Sequence, residues 1–403
     1  DVLFASAGRP TLTGTTTLGT NNTIRGLNIG DTGAQTGIVG TTFGTLTANA
    51  VAINGTGKAI DLVTGTAAVT FDSITSTNSA SEGIDLENVS GNFTVTGATN
   101  ITSPAQIGLN IANSNLTYNF GDVTVNNRNS AGVFINGFTG GVQTGTFGNI
   151  TINNQNSSGT TALGIDNIVT GGSTINIASV AIDNNGANSS AIALSNNDGA
   201  TITIAGGNVQ NAAGAAVSIS NSVGTATYAG SINNTAGRSV QVLTNGGGIT
   251  TFSGNITDSG TGIFLNNNTG STTNFSGTLD LDTTTNTAFS AIAGGTLNIT
   301  GSGNTIDTTS GTALEVIQTD IGAGNLNFQS ISAGTGTGTP GIAIDLLNTG
   351  NAGGLIVTGT GSTAGSGGTI QNKSGFNGST SDGIGIYLTN TQNVSLSNMQ
   401  LNG

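Results

Sequence analysis

Cysteine, histidine and tryptophan are all missing from this 403-residue chain, and methionine occurs once. Each absence removes a chemistry. Without cysteine there is no disulfide framework and no thiolate nucleophile. Without histidine there is no imidazole base, and without both there is no Cys/His zinc site. Charge is nearly as scarce: six Lys and Arg stand against 19 Asp and Glu, charged residues make up 6%, and the net charge is −13. Phosphates repel so acidic a chain, so no nucleic-acid partner is expected. No apolar run approaches the roughly 18 residues of a membrane-spanning helix, so no membrane span is expected either. No charged leader followed by an apolar run stands at Asp1. A signal peptide is expected to have been removed or to lie outside these residues.

What is present is glycine, 67 residues of it, with 34% apolar residues at regular spacing. High glycine with few charges fits disorder, but regular apolar spacing argues against it. The stretch 382–403 shows the unit most clearly. Ile384, Ile386 and Leu388 alternate with Gly385 and Tyr387, Asn390 follows, and Val394, Leu396, Met399 and Leu401 make two further short apolar runs. Side chains in a strand alternate with period two, so this reads as three short strands joined by polar corners.

The unit recurs. A small residue followed by an aliphatic, a variable residue and an aliphatic stands at Gly26, Ala59, Gly83, Gly108, Gly132, Gly164, Ala191, Ala216, Ser239, Gly262, Ala291, Ala313, Ala343 and Gly385. From Ala59 to Gly132 these anchors lie 24, 25 and 24 residues apart, and wider gaps elsewhere read as loop insertions. A second marker, aromatic or aliphatic, follows most anchors: Phe71, Val95, Phe120, Phe147, Ile177, Ile204, Tyr228, Phe252, Phe275 and Phe328. Further aliphatics come soon after, at Ile74, Ile150, Ile256 and Leu279. Asparagine forms a third column five residues past the anchor: Asn88, Asn113, Asn196, Asn221, Asn267, Asn348 and Asn390. Asparagine tolerates the left-handed conformation of a tight turn, and its amide can bond to the copy one coil away, so these seven are read as a structural ladder.

This wording resembles the repeat of right-handed parallel β-helices of the pectin-lyase-like superfamily, in its G-I-x-L at 385–388, the Asn after it and the N-V-x-L-x-N at 393–398. The resemblance implies an all-β, right-handed parallel β-helix, a β-solenoid of about 14 coils of about 24 residues. It is similar to non-catalytic bacterial surface and adhesin passenger-type β-helices. Residues 1–25 read as an irregular β lead-in, with Val2-Leu3-Phe4 as an apolar edge, and 26–403 as one continuous solenoid. One coil cannot fold alone. Its larger inward side chains contribute roughly 1.5 to 3 kcal/mol each, while ordering its backbone costs on the order of 1 to 2 kcal/mol per residue. Stacking must supply the rest. Ile60, Leu62, Phe71, Ile84, Leu86, Phe120, Phe147, Ile192, Leu194, Phe252, Ile263, Leu265 and Phe275 are expected in the core.

Candidate chemistry is sparse. Hydrolases of the resembled superfamily carry N-T-D, D-D, G-H-G and R-I-K motifs, and its lyases use Asp-bound calcium with an Arg or Lys base. This chain has no histidine, no adjacent Asp pair and no R-I-K, and its few basic residues are scattered, so no enzyme is expected. Asp61 and Asp85 fall at the same outward position of successive coils with Asn110 next, which makes them candidate calcium ligands, although two acids supply few of the 6 to 8 oxygens that calcium takes. No other cofactor is expected. Thr42, Thr70, Thr146, Thr203, Thr227 and Thr251 form an outward file suited to ice or another crystalline surface. A second file of Thr144, Thr201 and Thr225 is broken by Ala68 and Ile249.

The expected role is a secreted or cell-surface structural or adhesive solenoid, extracellular, associating end to end into filaments and touching glycans or cell surfaces. The alternative is a carbohydrate-binding or polysaccharide-cleaving β-helix with its site on the loop 359–382.

Overall fold

The computed structural model describes residues 8–30, 32–137, 140–155, 159–183, 189–336 and 338–402. Among these no helix occurs, and the strands stack as a parallel β-solenoid of about 13 turns, close to the 14 coils expected. The chain forms two compact units, Asp1–Gly207 and Asn208–Gly403. Each is built the same way. Short strands with apolar residues at every second position turn those residues inward, and each strand pairs with its counterpart one coil on.

In the first unit one column of inward side chains runs Ile38, Ile60, Ile84, Leu109, Val133, Leu163 and Ile192, each the partner of the next. A second face carries Val51, Phe71, Val95, Phe120, Phe147, Ile177 and Ile204 in register. The third aligns Ile74, Thr99, Val123, Ile150 and Val180. Rings stack inside this unit: Phe71–Phe93 and Phe93–Phe120 centroids lie 5.5 Å apart, and Phe120–Phe147 5.4 Å. Phe93 reaches that stack from two residues before Val95, a position the recurring marker does not include.

In the second unit the first column is Val217, Val240, Ile263, Phe289, Leu314, Ile344 and Ile386. The second face runs Tyr228, Phe252, Phe275, Ile299, Leu326 and Leu355. A register shift between Leu297 and Ile299 absorbs extra residues there, so Phe328 pairs with Val357 rather than standing in the column of Phe275. All thirteen residues expected in the core are buried.

Three anchors shift against the sequence reading. Leu27 pairs with Val51 on the second face, so the first column runs through Gly37-Ile38 and not Gly26. In the 163–166 strand Leu163 holds the register position, which makes Ala162 the anchor instead of Gly164. Phe289 likewise aligns with Ile263, so the anchor is Ala288 and Ala291 is itself an inward strand residue. Within the stretch read as a lead-in, Thr11–Leu12 pairs with Asn28–Ile29, and Thr16–Thr17 with Ile38–Val39. Val2-Leu3-Phe4 lies outside the described residues.

Candidate functional site

The first corner of each coil is where the asparagine column falls. All seven asparagines have positive φ, between 48° and 58°. Asn167, Thr42, Thr64, Thr244, Ala293 and Gln318 take the same conformation at the equivalent place in other coils. Asparagine is favoured there because its short polar side chain lowers the cost of the left-handed region. The ladder itself needs correcting. Six of the seven side chains are exposed and Asn196 half-buried; Asn390 does donate to Asn348 Oδ1 at 2.8 Å, and Asn196 donates to Asp166 at 2.8 Å. The buried bonds between coils come from the next residue. The backbone N–H of Val89 donates to Ser114 Oγ, that of Ile168 to Asn197 Oδ1, that of Ser222 to Asn245 Oδ1 and that of Asn245 to Asn268 Oδ1, all at 3.0 Å. The Asn197 and Asn268 amides donate in turn to the carbonyls of Ile165 and Val242 at 2.8 and 2.9 Å. Each of these three asparagines is 3% exposed. The signal in the sequence is a polar doublet, as in Asn196-Asn197 and Asn267-Asn268: the first residue makes the turn and the second points in.

The register expected for Asp61, Asp85 and Asn110 is present. Their neutralising cation, however, is Lys58. Its Nζ lies 3.2 Å from Asp61, 3.0 Å from Glu82 and 3.7 Å from Asp85, with only 11% of the side chain exposed. Asn110 completes the cluster by donating to Asp85 at 2.9 Å. The ammonium stands among the carboxylates a calcium ion would need, so the arrangement is an internal ion-pair network. Burial pulls the Lys58 pKa down, but its hydrogen bond to Glu82 and the charges of Asp61 and Glu82 outweigh it and hold it above the ordinary value. Asp85 is pushed up, by burial first, against the opposing hydrogen bond from Asn110.

Of the outward threonine file, Thr70 pairs with Thr94, Thr94 with Asn119, Asn119 with Thr146, Thr146 with Asn176 and Asn176 with Thr203. Threonine and asparagine therefore share the file, and Thr42 sits at a corner outside it. In the loop 359–382, Lys373 donates to the carbonyls of Ser310 and Gly311 at 3.3 and 3.1 Å, while Phe376 is 90% exposed.

No family model matches this chain, and no curated protein or solved structure does. Its own geometry must therefore indicate the site.

One concave surface in the second unit combines opposite charges, a groove of about 360 Å³ lined by Arg238, Phe264, Asn286, Ser290 and Glu315 among others. Sequence reasoning missed it, because these residues come from four different coils. Arg238 precedes an inward Ser239, and its guanidinium carbon lies 4.5 Å above the centre of the Phe264 ring. Phe264, Ser290 and Glu315 are successive register partners facing outward. Ser290 Oγ donates to Glu315 Oε2 at 2.6 Å.

Beneath lies Asp258, with no exposed surface. One of its oxygens accepts from the Ser239 N–H at 3.0 Å and the Ser239 hydroxyl at 2.5 Å. The other accepts from the N–H groups of Gly260 and Gly262 at 2.9 and 3.0 Å. This carboxylate ties the strand bearing Arg238 to the turn through Thr261, both of which line the groove. Burial raises the Asp258 pKa above its ordinary value despite those four bonds, and burial lowers that of Arg238 against the attraction of Asp258. Unlike Asp258, Arg238 and Glu315 are partly open to solvent and available to a ligand.

Proposed function

We propose that this chain is a secreted or cell-surface structural and adhesive solenoid, a non-catalytic member of the pectin-lyase-like group of parallel β-helices. The observation that carries the reading is the continuity of the parallel pairing inside each unit, over a core of mainly aliphatic columns and a stack of aromatic rings. Such a body is stiff because each coil is held by its neighbours through main-chain hydrogen bonds. On the second face its outward strand residues are largely Thr and Asn, and only 6% of the chain is charged. That surface suits weak, repeated hydrogen bonding to hydroxyl-rich material such as glycans. Assembly into filaments is the part of the proposal that electron microscopy of native material reads.

Antibodies raised against the chain should label intact, unpermeabilised cells or the culture medium. Labelling only after permeabilisation overturns the surface role. Incubation with acidic and neutral polysaccharides should leave them uncut, and new reducing ends or unsaturated products overturn the non-catalytic role. A second reading has its own observation: the 90% exposed ring of Phe376 in the loop 359–382 offers a face on which a sugar could stack. In that case Phe376→Ala abolishes retention on immobilised glycan and leaves the melting temperature unchanged.

A further inference from the structure

The groove of the second unit contains a cation and an anion that do not neutralise each other. Among the described residues the Arg238 guanidinium makes no salt bridge, and the charge of the buried Asp258 attracts it. The guanidinium carbon lies 4.5 Å over the centre of the Phe264 ring. A guanidinium presents its N–H donors in a planar fork, which can grip a carboxylate with two parallel hydrogen bonds. The strand of Arg238 pairs with that of Phe264, Glu315 stands two strands beyond Phe264, and both charged side chains line the one groove. Ser290 holds one Glu315 oxygen, and the residue is partly open to solvent.

The rim around them is fixed. Thr283 Oγ1 donates to the Asn286 carbonyl at 2.8 Å, and Asp258 ties the edge bearing Arg238 to the turn through Thr261. A simple anion would be attracted by Arg238 and repelled by Glu315, on a chain of net charge −13. A simple cation would meet the reverse. The complementary ligand carries both charges a short distance apart. The groove, at about 360 Å³, lies near the lower end of the roughly 300 to 1,000 Å³ of small-molecule sites.

We propose that this groove binds a compact zwitterion, a free amino acid or a dipeptide, with its carboxylate on Arg238 and its ammonium on Glu315. The site goes beyond the surface role. A chain that bound such a ligand without being exported would satisfy one proposal and fail the other.

Calorimetric titration of the whole chain with glycine, glycylglycine, N-acetylglycylglycine and glycylglycinamide tests it. At least one of the two zwitterions should bind. Blocking either end of glycylglycine should weaken binding about tenfold or more, the range for losing a hydrogen bond to a charged group. Glu315→Gln should erase the preference over the acetylated peptide, and Arg238→Gln the preference over the amide. Arg238→Lys, which keeps the charge, should lie between wild type and Arg238→Gln, and circular dichroism confirms that each variant is folded. Absence of binding by both zwitterions overturns the proposal. So do blocked peptides that bind as well as the free one, or a Glu315→Gln variant that still discriminates against the acetylated ligand.

Discussion

Replacing Phe252 by alanine removes the middle ring of a stack inside the second unit. The side chain is 1% exposed; its centroid lies 5.1 Å from that of Phe275 at an interplanar angle of 12°, and 6.4 Å from that of Tyr228. Burying such a ring and then deleting it costs about 3 to 5 kcal/mol where the surroundings collapse only partly. Collapse is limited here because the strands on both sides are pinned by register pairing to the strand that carries the change. Each ring pair adds about 0.5 to 1.5 kcal/mol beyond the area buried, so the upper half of the range is expected. The assay is urea denaturation of the full chain followed by near-ultraviolet circular dichroism, with native-state hydrogen exchange to locate the loss. A solenoid need not unfold in one step, so the exchange of 249–252 and of the flanking strands is the decisive readout. Phe376→Ala, at a ring 90% exposed, is the control and should stay within about 0.5 kcal/mol. A Phe252→Ala cost below about 1 kcal/mol, or one equal to the control, would refute the assignment of that ring to a packed column.

Other changes test the corner and the charges. Asn268→Ala should cost about 1 to 3 kcal/mol, because it strands the Asn245 N–H and the Val242 carbonyl in the interior. Asn267→Gly, at the exposed left-handed position, should be close to neutral in the same melts. Lys58→Gln should lower the melting temperature by leaving Asp61, Glu82 and Asp85 without their shared cation, while calcium should leave the wild-type melting temperature unchanged. Stability should rise on mild acidification. Asp85, Asp258, Asp282, Asp307 and Asp345 are all held above 3.8, burial being the first cause in each. The folded chain therefore binds these protons before the unfolded one does, and gains stability as pH falls from neutral through the folded values toward 3.8. Glu82, which the hydrogen bond from Lys58 holds below 4.5 despite burial, works the other way, and its contribution is lost as pH falls through its folded value. Melting temperatures that drop steadily from neutral pH to just above 3.8 would contradict the balance of five against one.

Much of the fold could be read from the chain because a strand's two-residue period and a coil's recurring corner are local properties. Ile60, Leu62, Ile84 and Leu86 declare their inward face by alternation, and the asparagines mark left-handed corners because few other side chains accept that backbone. Which residue of one coil meets which of the next is not local. Moving an anchor from Ala162 to Gly164 preserves the inward and outward pattern, so alternation alone cannot detect a slip of two residues; the choice is made by the packing of Leu163 between Val133 and Ile192. At Ala288 the sequence offers two small-then-apolar starts three residues apart, and stacking of Phe289 against Phe275, at 5.5 Å between centroids, accompanies the register adopted. Clusters of charge depend wholly on that register. The alignment of Asp61 with Asp85 followed from a regular repeat, but the approach of Lys58 from the preceding corner did not, because corners have no fixed period. Arg238 and Asp258 share one coil, Phe264 stands in the next and Glu315 two coils beyond that, and no spacing rule links them. Only the stacking of the coils sets a guanidinium over a ring, a buried carboxylate beneath it and a second carboxylate on the same groove.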